Sequence, residues 1–310
     1  MIAFLFPGQG SQAVGMGRAL VDTYPEARAV FDEADEALGW SVRDLCFDGP
    51  EDALTLTENT QPALLTTSTA AWRVLEARGW RPAMMAGHSL GEYSAHVAAG
   101  TFPLADALQV VRHRGQYMQE AVPVGSGAMA AVLGLDADAV SAACAEAAEG
   151  DVVSAANLNA PGQVVIAGTA AAVARAGQAA KARGARRVVP LNVSAPFHCA
   201  LMQPAQARLE PELRALSTQA PAVPVVANVD AEPKTGARES IDALVAQISG
   251  AVRWEACIRR LASSGVRAYV EVGPGTVLAG LVRKIDREAQ VVSFGAPDQL
   301  EAVEALFAAS

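Results

Sequence analysis

Residues 87–91 read Gly-His-Ser-Leu-Gly and fit the pattern G-x-S-x-G. An apolar stretch precedes them at 82–86, and a helical run follows at 92–99. A strand, a sharp turn and a helix in this order form a nucleophile elbow, where glycines permit the turn and the serine is exposed. N–H groups at the helix start favour a developing oxyanion. We therefore predict a covalent acyl-serine enzyme with Ser89 as nucleophile; a Gly/Ser turn that merely begins a helix is the structural alternative.

A serine nucleophile needs a base, and the chain has four histidines. His88 lies inside the elbow, with its side chain expected to point away from the nucleophile, and His96 lies two turns into the next helix. His113 lies between two arginines on a charged helix face. His198 follows a proline in a loop after a strand, and such loops carry catalytic groups in open α/β sheets. We predict His198 as the base, although a loop histidine at a domain junction would look the same.

Arg114 is the most informative charged residue. It falls on the same helix face as the apolar residues Ala107, Val111 and Met118. A guanidinium on an apolar face is unfavourable unless it is paired. Its partner is either an internal Asp or Glu or an anion from outside, and beside an acyl-serine a substrate carboxylate would suit the planar fork of an arginine.

Hydrophobic patterning predicts the elements that must position these residues. The predicted strands lie at 2–6, 82–86, 128–133, 152–156, 164–167, 187–193, 223–229, 268–272 and 291–294. The predicted helices lie at 25–38, 62–78, 92–99, 104–120, 137–148, 170–183 and 276–285. Residues 157–162 are predicted as a loop between two strands.

The order of these elements predicts an α/β fold with two domains. From 126 to 192 the order is β-α-β-β-α-β, the split βαβ pattern of ferredoxin-like folds. Outside this segment, strands and helices alternate, which favours a mostly parallel sheet. We expect an α/β-hydrolase-like large domain at 1–125 and 193–310, and a small inserted ferredoxin-like α+β domain at 126–192.

Composition and charge narrow the functional classes. The formal net charge is −9, which disfavours sequence-independent binding to nucleic acid. The four cysteines are scattered without a C-x-x-C pair, so neither a metal site nor a disulfide framework is indicated. The sequence shows no signal-peptide pattern and no membrane-length apolar run, and we expect a cytoplasmic protein. A G-x-G-x-x-A match at 125–130 precedes a strand, which is the wrong context for a dinucleotide loop.

Several ordered motifs resemble one known family across essentially the whole chain. They lie at residues 6–12, 87–95, 114–119, 157–163 and 197–199, and the segments around Gln247 and 272–275 also fit. The chain resembles the malonyl-CoA:acyl-carrier-protein transacylases of fatty acid and polyketide synthesis. The resemblance implies that Ser89 is acylated and that His198 serves as base and later as acid. It also implies an oxyanion hole formed by the backbone N–H groups of Gln9 and Leu90.

The same resemblance implies further roles. Arg114 would hold the free malonyl carboxylate, and Phe197 and His88 would also contact the substrate. Phe197 would crowd the space that a substrate α-methyl group needs. The backbone carbonyl of Gln247 would orient the imidazole of His198, in place of the acid of a hydrolase triad. The residue pattern indicates no Asp or Glu for that position.

The expected function is transfer of a malonyl group from malonyl-CoA to the phosphopantetheine thiol of acyl carrier protein, by a ping-pong reaction through malonyl-serine. The alternatives are a serine hydrolase or thioesterase acting on acyl-CoA, a polyketide acyltransferase acting in trans with another acyl unit, and a scaffold subunit without chemistry. We expect no cofactor, no metal, no nucleic-acid or membrane partner, and a monomer.

Overall fold

The chain folds into two β-sheets of different construction, with helices packed against both. The computed structural model describes residues 1–123 and 125–309. The predicted large-domain ranges also contain Val124 and Ser310, which lie outside the described residues. Within the described part of the chain, no helix has both the length and the apolar character of a membrane span.

The described residues contain ten strands and fourteen α-helices. The strands are β1 (Ile2–Phe6), β2 (Met84–Gly87), β3 (Gly127–Leu133), β4 (Val153–Ala160), β5 (Gln163–Thr169), β6 (Arg187–Pro190), β7 (Val225–Val226), β8 (Pro233–Lys234), β9 (Ala268–Val272) and β10 (Gln290–Phe294). The helices are α1 (Arg18–Thr23), α2 (Pro25–Leu38), α3 (Val42–Asp48), α4 (Glu51–Thr55), α5 (Thr57–Ala77), α6 (Leu90–Ala98), α7 (Leu104–Glu120), α8 (Ala137–Ala147), α9 (Ala170–Ala182), α10 (Gln203–Ala215), α11 (Ala237–Gln247), α12 (Trp254–Ser263), α13 (Val277–Ile285) and α14 (Leu300–Ala308).

The larger sheet has six strands in the order β10-β9-β1-β2-β7-β8. Every neighbouring pair is parallel except β7 and β8, which pair antiparallel at the edge. Strand β1 is central and all five of its residues are buried, as expected for a parallel strand covered by helices on both faces. The carboxyl ends of β1 and β2 therefore lie side by side, at the edge where open α/β sheets bind their ligands.

The smaller sheet has four strands in the order β4-β5-β3-β6, all antiparallel. This is the strand order of a ferredoxin-like β-α-β-β-α-β unit, and its strands run from residue 127 to residue 190. Helices α8 and α9 cover one face, where Val132, Val140 and Ile166 share an apolar core. The other face carries Met129 and Val165 and faces the larger sheet region.

The small sheet is joined by backbone hydrogen bonds to the segment before α12. The N–H of Leu158 in β4 donates to the carbonyl of Val252 over 2.8 Å, and the N–H of Val252 donates to Ala156 over 2.8 Å. The segment before α12 therefore extends the edge of the small sheet.

The predicted fold class is confirmed, and several element boundaries agree at every residue: β1, β9, α2 and α7. Pro25 begins α2, where the missing N–H is harmless, and Gly39 ends it with a left-handed φ of 72°. Such local signals explain why these boundaries are readable from sequence.

Other boundaries were predicted wrongly. Helix α5 begins at Thr57 rather than at residue 62, because the N–H groups of Asn59 and Thr60 already bond to the carbonyl of Leu56. Residues 157–160 form strand rather than loop, since β4 pairs with β5 up to the match of Ala160 with Gln163. The strand predicted at 223–229 is only two residues long, and the strand predicted at 187–193 ends at residue 190. The sequence patterns also missed α1, α3, α4, α10, α11, α12 and α14.

Candidate active site

The elbow is a tight crossing of β2 and α6 that tolerates only glycine at two positions. Ser89 has φ 53° and ψ −110°, a strained conformation of the kind that clusters at functional sites. A Cβ on Gly87 would lie 1.9 Å from the backbone of Gly91, and a Cβ on Gly91 would lie 2.0 Å from the carbonyl oxygen of Phe6. The G-x-S-x-G spacing is thus required by backbone contact, and it places Ser89 at the amino end of α6.

Ser89 and His198 form a hydrogen-bonded pair. The distance from Ser89 Oγ to His198 Nε2 is 2.6 Å. On the other side of the ring, Nδ1 lies 3.0 Å from the carbonyl oxygen of Gln247 and 3.2 Å from that of Gly250. Carbonyl oxygens only accept, so Nδ1 carries the proton and Nε2 is free to accept the serine hydroxyl proton. Two backbone carbonyls thus occupy the position of a triad carboxylate.

The surroundings of His198 keep its ring neutral. Burial, with a smaller contribution from the positive charge of Arg114, lowers the pKa of His198 to about 3. Only 4% of the residue is exposed. A neutral imidazole is the form that can act as general base.

Arg114 reaches the same point from helix α7. Its Nη2 lies 3.3 Å from Ser89 Oγ and 3.0 Å from Gln247 Oε1, and its Nη1 donates to Gln61 Oε1 over 2.9 Å. The guanidinium also lies 5.3 Å from the centre of the Tyr93 ring. Burial lowers the pKa of Arg114 from its usual range.

These contacts identify the hydrogen-bond partners of the Arg114 guanidinium. Within residues 1–123 and 125–309, no carboxylate lies within ion-pair distance of the guanidinium. Its partners are neutral amide oxygens and a hydroxyl, although only 2% of the residue is exposed. Such a buried cation attracts an anionic ligand strongly, because little water screens it.

Ser89, His198 and Arg114 open into one cavity of about 350 Å³. The large-sheet side contributes Gln9, Gln61 and Met118, and the small sheet contributes the opposite wall. The lining from the small sheet consists of Met129, Asn157, Asn159 and Val165. As lined by the described residues, the cavity is therefore mostly apolar, with the guanidinium of Arg114 beside the hydroxyl of Ser89, which suits a short acyl group ending in a negative charge.

The remaining predicted residues all lie around this cavity. Gln9, His88 and Phe197 line it. His88 Nε2 lies 2.8 Å from Asn159 Oδ1, so this ring is fixed by the small sheet. Leu90 is the first residue of α6, and its N–H has no acceptor within its own helix. A Cβ on Gly8 would lie 2.3 Å from the carbonyl oxygen of His88, which shows how closely the loop that carries Gln9 approaches the elbow.

Sequence reasoning missed three residues of this site. Gln61 and Glu92 lie in helices, and nothing in their spacing separates them from ordinary polar positions. Asn228 offered a signal, since it follows β7 at the carboxyl edge of the parallel sheet, where binding groups collect. Its Oδ1 accepts the N–H of Ser89 over 2.7 Å.

A nucleophile elbow on a mostly parallel sheet, with a histidine at hydrogen-bond distance, defines the class of proteins that work through an acyl-serine. The family model of the acyl transferase domain matches residues 3–303, and the chain belongs to this family. The malonyl CoA-acyl carrier protein transacylase of Escherichia coli strain K12 is 53% identical over 284 residues, which cover 91% of this chain and 92% of the relative.

Solved structures show the same similarity. An acyl carrier protein S-malonyltransferase from Vibrio cholerae superposes with a TM-score of 0.96 at 48% identity, covering 97% of this chain and 99% of that chain. A second match comes from a complex of a type II PKS acyl-carrier protein with its malonyl-transacylase. It has a TM-score of 0.95 and 45% identity, and covers 97% of this chain and 98% of that chain.

Proposed function

We propose that this protein transfers a malonyl group from malonyl-CoA to the thiol of an acyl carrier protein, through a malonyl ester on Ser89. The observation that carries the proposal is the buried guanidinium of Arg114, which has no carboxylate partner among residues 1–123 and 125–309 and lies 3.3 Å from Ser89 Oγ. The names of its relatives and the carrier-protein complex of its structural neighbour support the same substrates.

In the first half-reaction, Ser89 Oγ attacks the thioester carbonyl carbon while its proton passes to His198 Nε2. The developing oxyanion would be held by the N–H groups of Leu90 and Gln9. When the tetrahedral intermediate collapses, the C–S bond breaks, and the leaving thiolate of CoA takes the proton from His198. Malonyl-serine remains, and His198 is neutral again.

In the second half-reaction, the carrier thiol gives its proton to His198 and attacks the ester carbonyl. The C–O bond to Ser89 then breaks, and Ser89 Oγ recovers the proton. Arg114 holds the distal carboxylate throughout, so that the reacting carbonyl stays in line with Ser89. The bound carboxylate also offsets the positive charge that disfavours protonation of His198.

The proposal has further parts. The reaction needs no cofactor, since Ser89, His198 and Arg114 account for each proton and charge. A monomer would suffice, because one chain supplies every wall of the cavity. The four cysteines are free and buried, which supports a reducing compartment such as the cytoplasm. We also propose the domain division at 1–125, 126–192 and 193–310, supported by the span of the small sheet.

The test is the intact mass of the protein after brief mixing with malonyl-CoA, with and without a phosphopantetheinylated carrier protein. We expect a malonyl adduct that moves to the carrier. Ser89→Ala should remove the adduct and lower transfer by about 10³-fold or more, because the nucleophile and base act as a unit. Ser94→Ala, a buried serine on the same helix, is the matched control and should keep the adduct.

Three outcomes would contradict the proposal. An adduct that decays to free malonate equally fast without carrier would indicate a hydrolase or thioesterase. Preferential labelling by another acyl-CoA in a mixture would indicate a different acyl unit. Absence of both adduct and released CoA would indicate a scaffold.

A further inference from the structure

Behind the elbow lies a buried polar network that the two half-reactions do not use. Its members are Glu92, Asn228 and the side chain of Gln247, each with 0% of its surface exposed. Glu92 Oε2 accepts the backbone N–H of Asn228 over 2.9 Å and the side-chain Nε2 of Gln247 over 2.8 Å. One carboxylate oxygen therefore connects two segments that both touch the nucleophile.

The first connection fixes the amide of Gln247. Glu92 Oε2 already accepts the N–H of Asn228 and so acts as an acceptor, and the NH₂ group of Gln247 must therefore face it. The same Nε2 donates to the carbonyl of Ser89 over 2.9 Å. Oε1 is therefore turned toward Arg114, whose Nη2 donates to it over 3.0 Å. With the amide reversed, the NH₂ group would face the guanidinium, donor against donor.

The second connection fixes the elbow itself. The side chain of Asn228 accepts the N–H of Ser89 over 2.7 Å and donates from Nδ2 to the carbonyl of Gly87 over 2.7 Å. Because Glu92 accepts the backbone N–H of Asn228, it also helps to position the Asn228 side chain, which bonds to the backbone on both sides of the strained serine. Any effect of this connection would act on all acyl substrates alike.

Glu92 is poorly arranged for stability alone. Its second oxygen, Oε1, is buried and has no hydrogen-bond partner in the part of the chain that the structure describes. Burial raises the pKa of Glu92 to about 7. A second buried carboxylate shows the contrast: Glu271 accepts the N–H groups of Leu278 and Ala279 at the start of α13, one on each oxygen. A buried carboxylate with a free oxygen destabilises the fold, which favours a role in the site.

We propose that Glu92 is a positioning residue for malonyl selection, which orients the amide of Gln247 and through it the guanidinium of Arg114. The inference rests on the proposed function and deepens it. Glu92 contacts neither the cavity nor the reacting atoms. Its effect should therefore appear in the choice between a carboxylated and an uncarboxylated acyl group.

The experiment measures kcat/KM for malonyl-CoA and for acetyl-CoA, with carrier protein as acceptor, and compares their ratio among variants. In Glu92→Ala the amide of Gln247 loses one of the hydrogen bonds that set its orientation, and we expect the malonyl-to-acetyl ratio to fall by about tenfold, as for the loss of one hydrogen bond of ordinary strength. Glu92→Gln keeps an acceptor oxygen and should hold the ratio within about threefold of wild type. Glu271→Ala is the matched control and should leave the ratio unchanged while it lowers the melting temperature.

An unchanged ratio in a folded Glu92→Ala variant would overturn the inference, as would an equal fall in Glu271→Ala. If circular dichroism shows that Glu92→Ala does not fold, Glu92→Asp is measured instead. Its shorter carboxylate cannot reach both donors, so the malonyl-to-acetyl ratio should fall in this variant too. An unchanged ratio in Glu92→Asp would overturn the inference. Failure of the proposed function is distinct, since it would appear in the wild-type protein as absence of malonyl transfer.

Discussion

The two sheet regions of this protein differ in how their polar side chains are paired. At the carboxyl edge of the large sheet, Ser89 is strained. Among the described residues, buried Arg114 has no carboxylate partner and Glu92 Oε1 has no hydrogen-bond partner. In the small-sheet unit, by contrast, the side chains of Asp136 and Thr169 cap helices α8 and α9 in the ordinary way. As far as the described residues show, buried side-chain atoms without partners thus lie in the large-sheet region, which also contains the strained serine where we propose that the chemistry occurs.

The small sheet nevertheless shapes the site. It supplies one wall of the cavity through Met129 and Val165, and Asn159 holds the ring of His88. The side chains that the small sheet contributes to the cavity are apolar or neutral amides, so this wall carries no formal charge. The comparison indicates that the large-sheet region supplies the reactive and charged groups, and the small sheet supplies shape. The following predictions test this division.

The largest effect is expected at Arg114. Arg114→Ala should lower malonyl transfer by about 10²- to 10³-fold, because the bound carboxylate loses the guanidinium beside Ser89, as for a charged hydrogen bond worth about 3 kcal/mol. Acetyl transfer should be spared or improved, since acetyl has no carboxylate to bind. Steady-state kinetics with both acyl-CoA substrates measure this.

Arg112→Ala is the control for that measurement. Arg112 lies on the same helix and packs over the ring of Trp40, 5.5 Å from its centre. Its loss should leave both transfer rates near wild type. Equal losses of malonyl and acetyl transfer in Arg114→Ala would show that the arginine supports the fold of the site rather than the carboxylate.

An intermediate effect concerns acid stability. All four histidines lie outside residues 127–190, and burial lowers the pKa of His96 to about 3. The unfolded chain has a histidine pKa of about 6.5. Above that pH both states are neutral, and below it only the unfolded state gains the proton, so stability falls as the pH drops from about 6.5 to about 3.

His96→Asn should remove this contribution. The difference in unfolding free energy between wild type and variant should change by about 1.4 kcal/mol per pH unit in that window, to the disadvantage of the wild type at acid pH. Urea denaturation at several pH values measures it. Ser94→Ala changes a buried neighbour that does not titrate, so its unfolding free energy should differ from that of the wild type by an amount that does not depend on pH. If this difference depended on pH as it does for His96→Asn, the assignment to His96 would be contradicted.

The smallest effect is expected in the small-sheet unit. Thr169 Oγ1 accepts the N–H of Ala172 over 3.3 Å at the start of α9. Thr169→Ala should lower the unfolding free energy by about 1 kcal/mol. It should leave kcat/KM for malonyl-CoA near wild type, because Thr169 does not line the cavity. Ser141→Ala, at an exposed position within α8, is the control and should change neither quantity. A large loss of kcat/KM in Thr169→Ala would contradict the division of roles between the two regions.

Much of the fold was predictable because its signals are local. Proline and glycine at helix ends, apolar runs in buried strands and the order of elements gave the two-domain α/β class and the bounds of α2 and α7. Of the missed helices, α1, α3 and α4 are only five to seven residues long, whereas α10, α11, α12 and α14 are as long as helices that were predicted, so length does not explain their omission. The error at β4 has another cause: residues 157–160 look like a turn, but pairing with β5 and with Val252 makes them strand.

Of the candidate site, the sequence by itself located the turn that carries Ser89, because backbone contacts there require glycine at positions 87 and 91. The sequence also marked His198 and Arg114 as unusual in their settings. Only the tertiary structure decided what surrounds them. Asn228 reaches Ser89 from 139 residues away, and Gln247 reaches Arg114 from 133 residues away. Contacts of that kind leave no local pattern, since any buried amide of the right length satisfies them once the chain has folded.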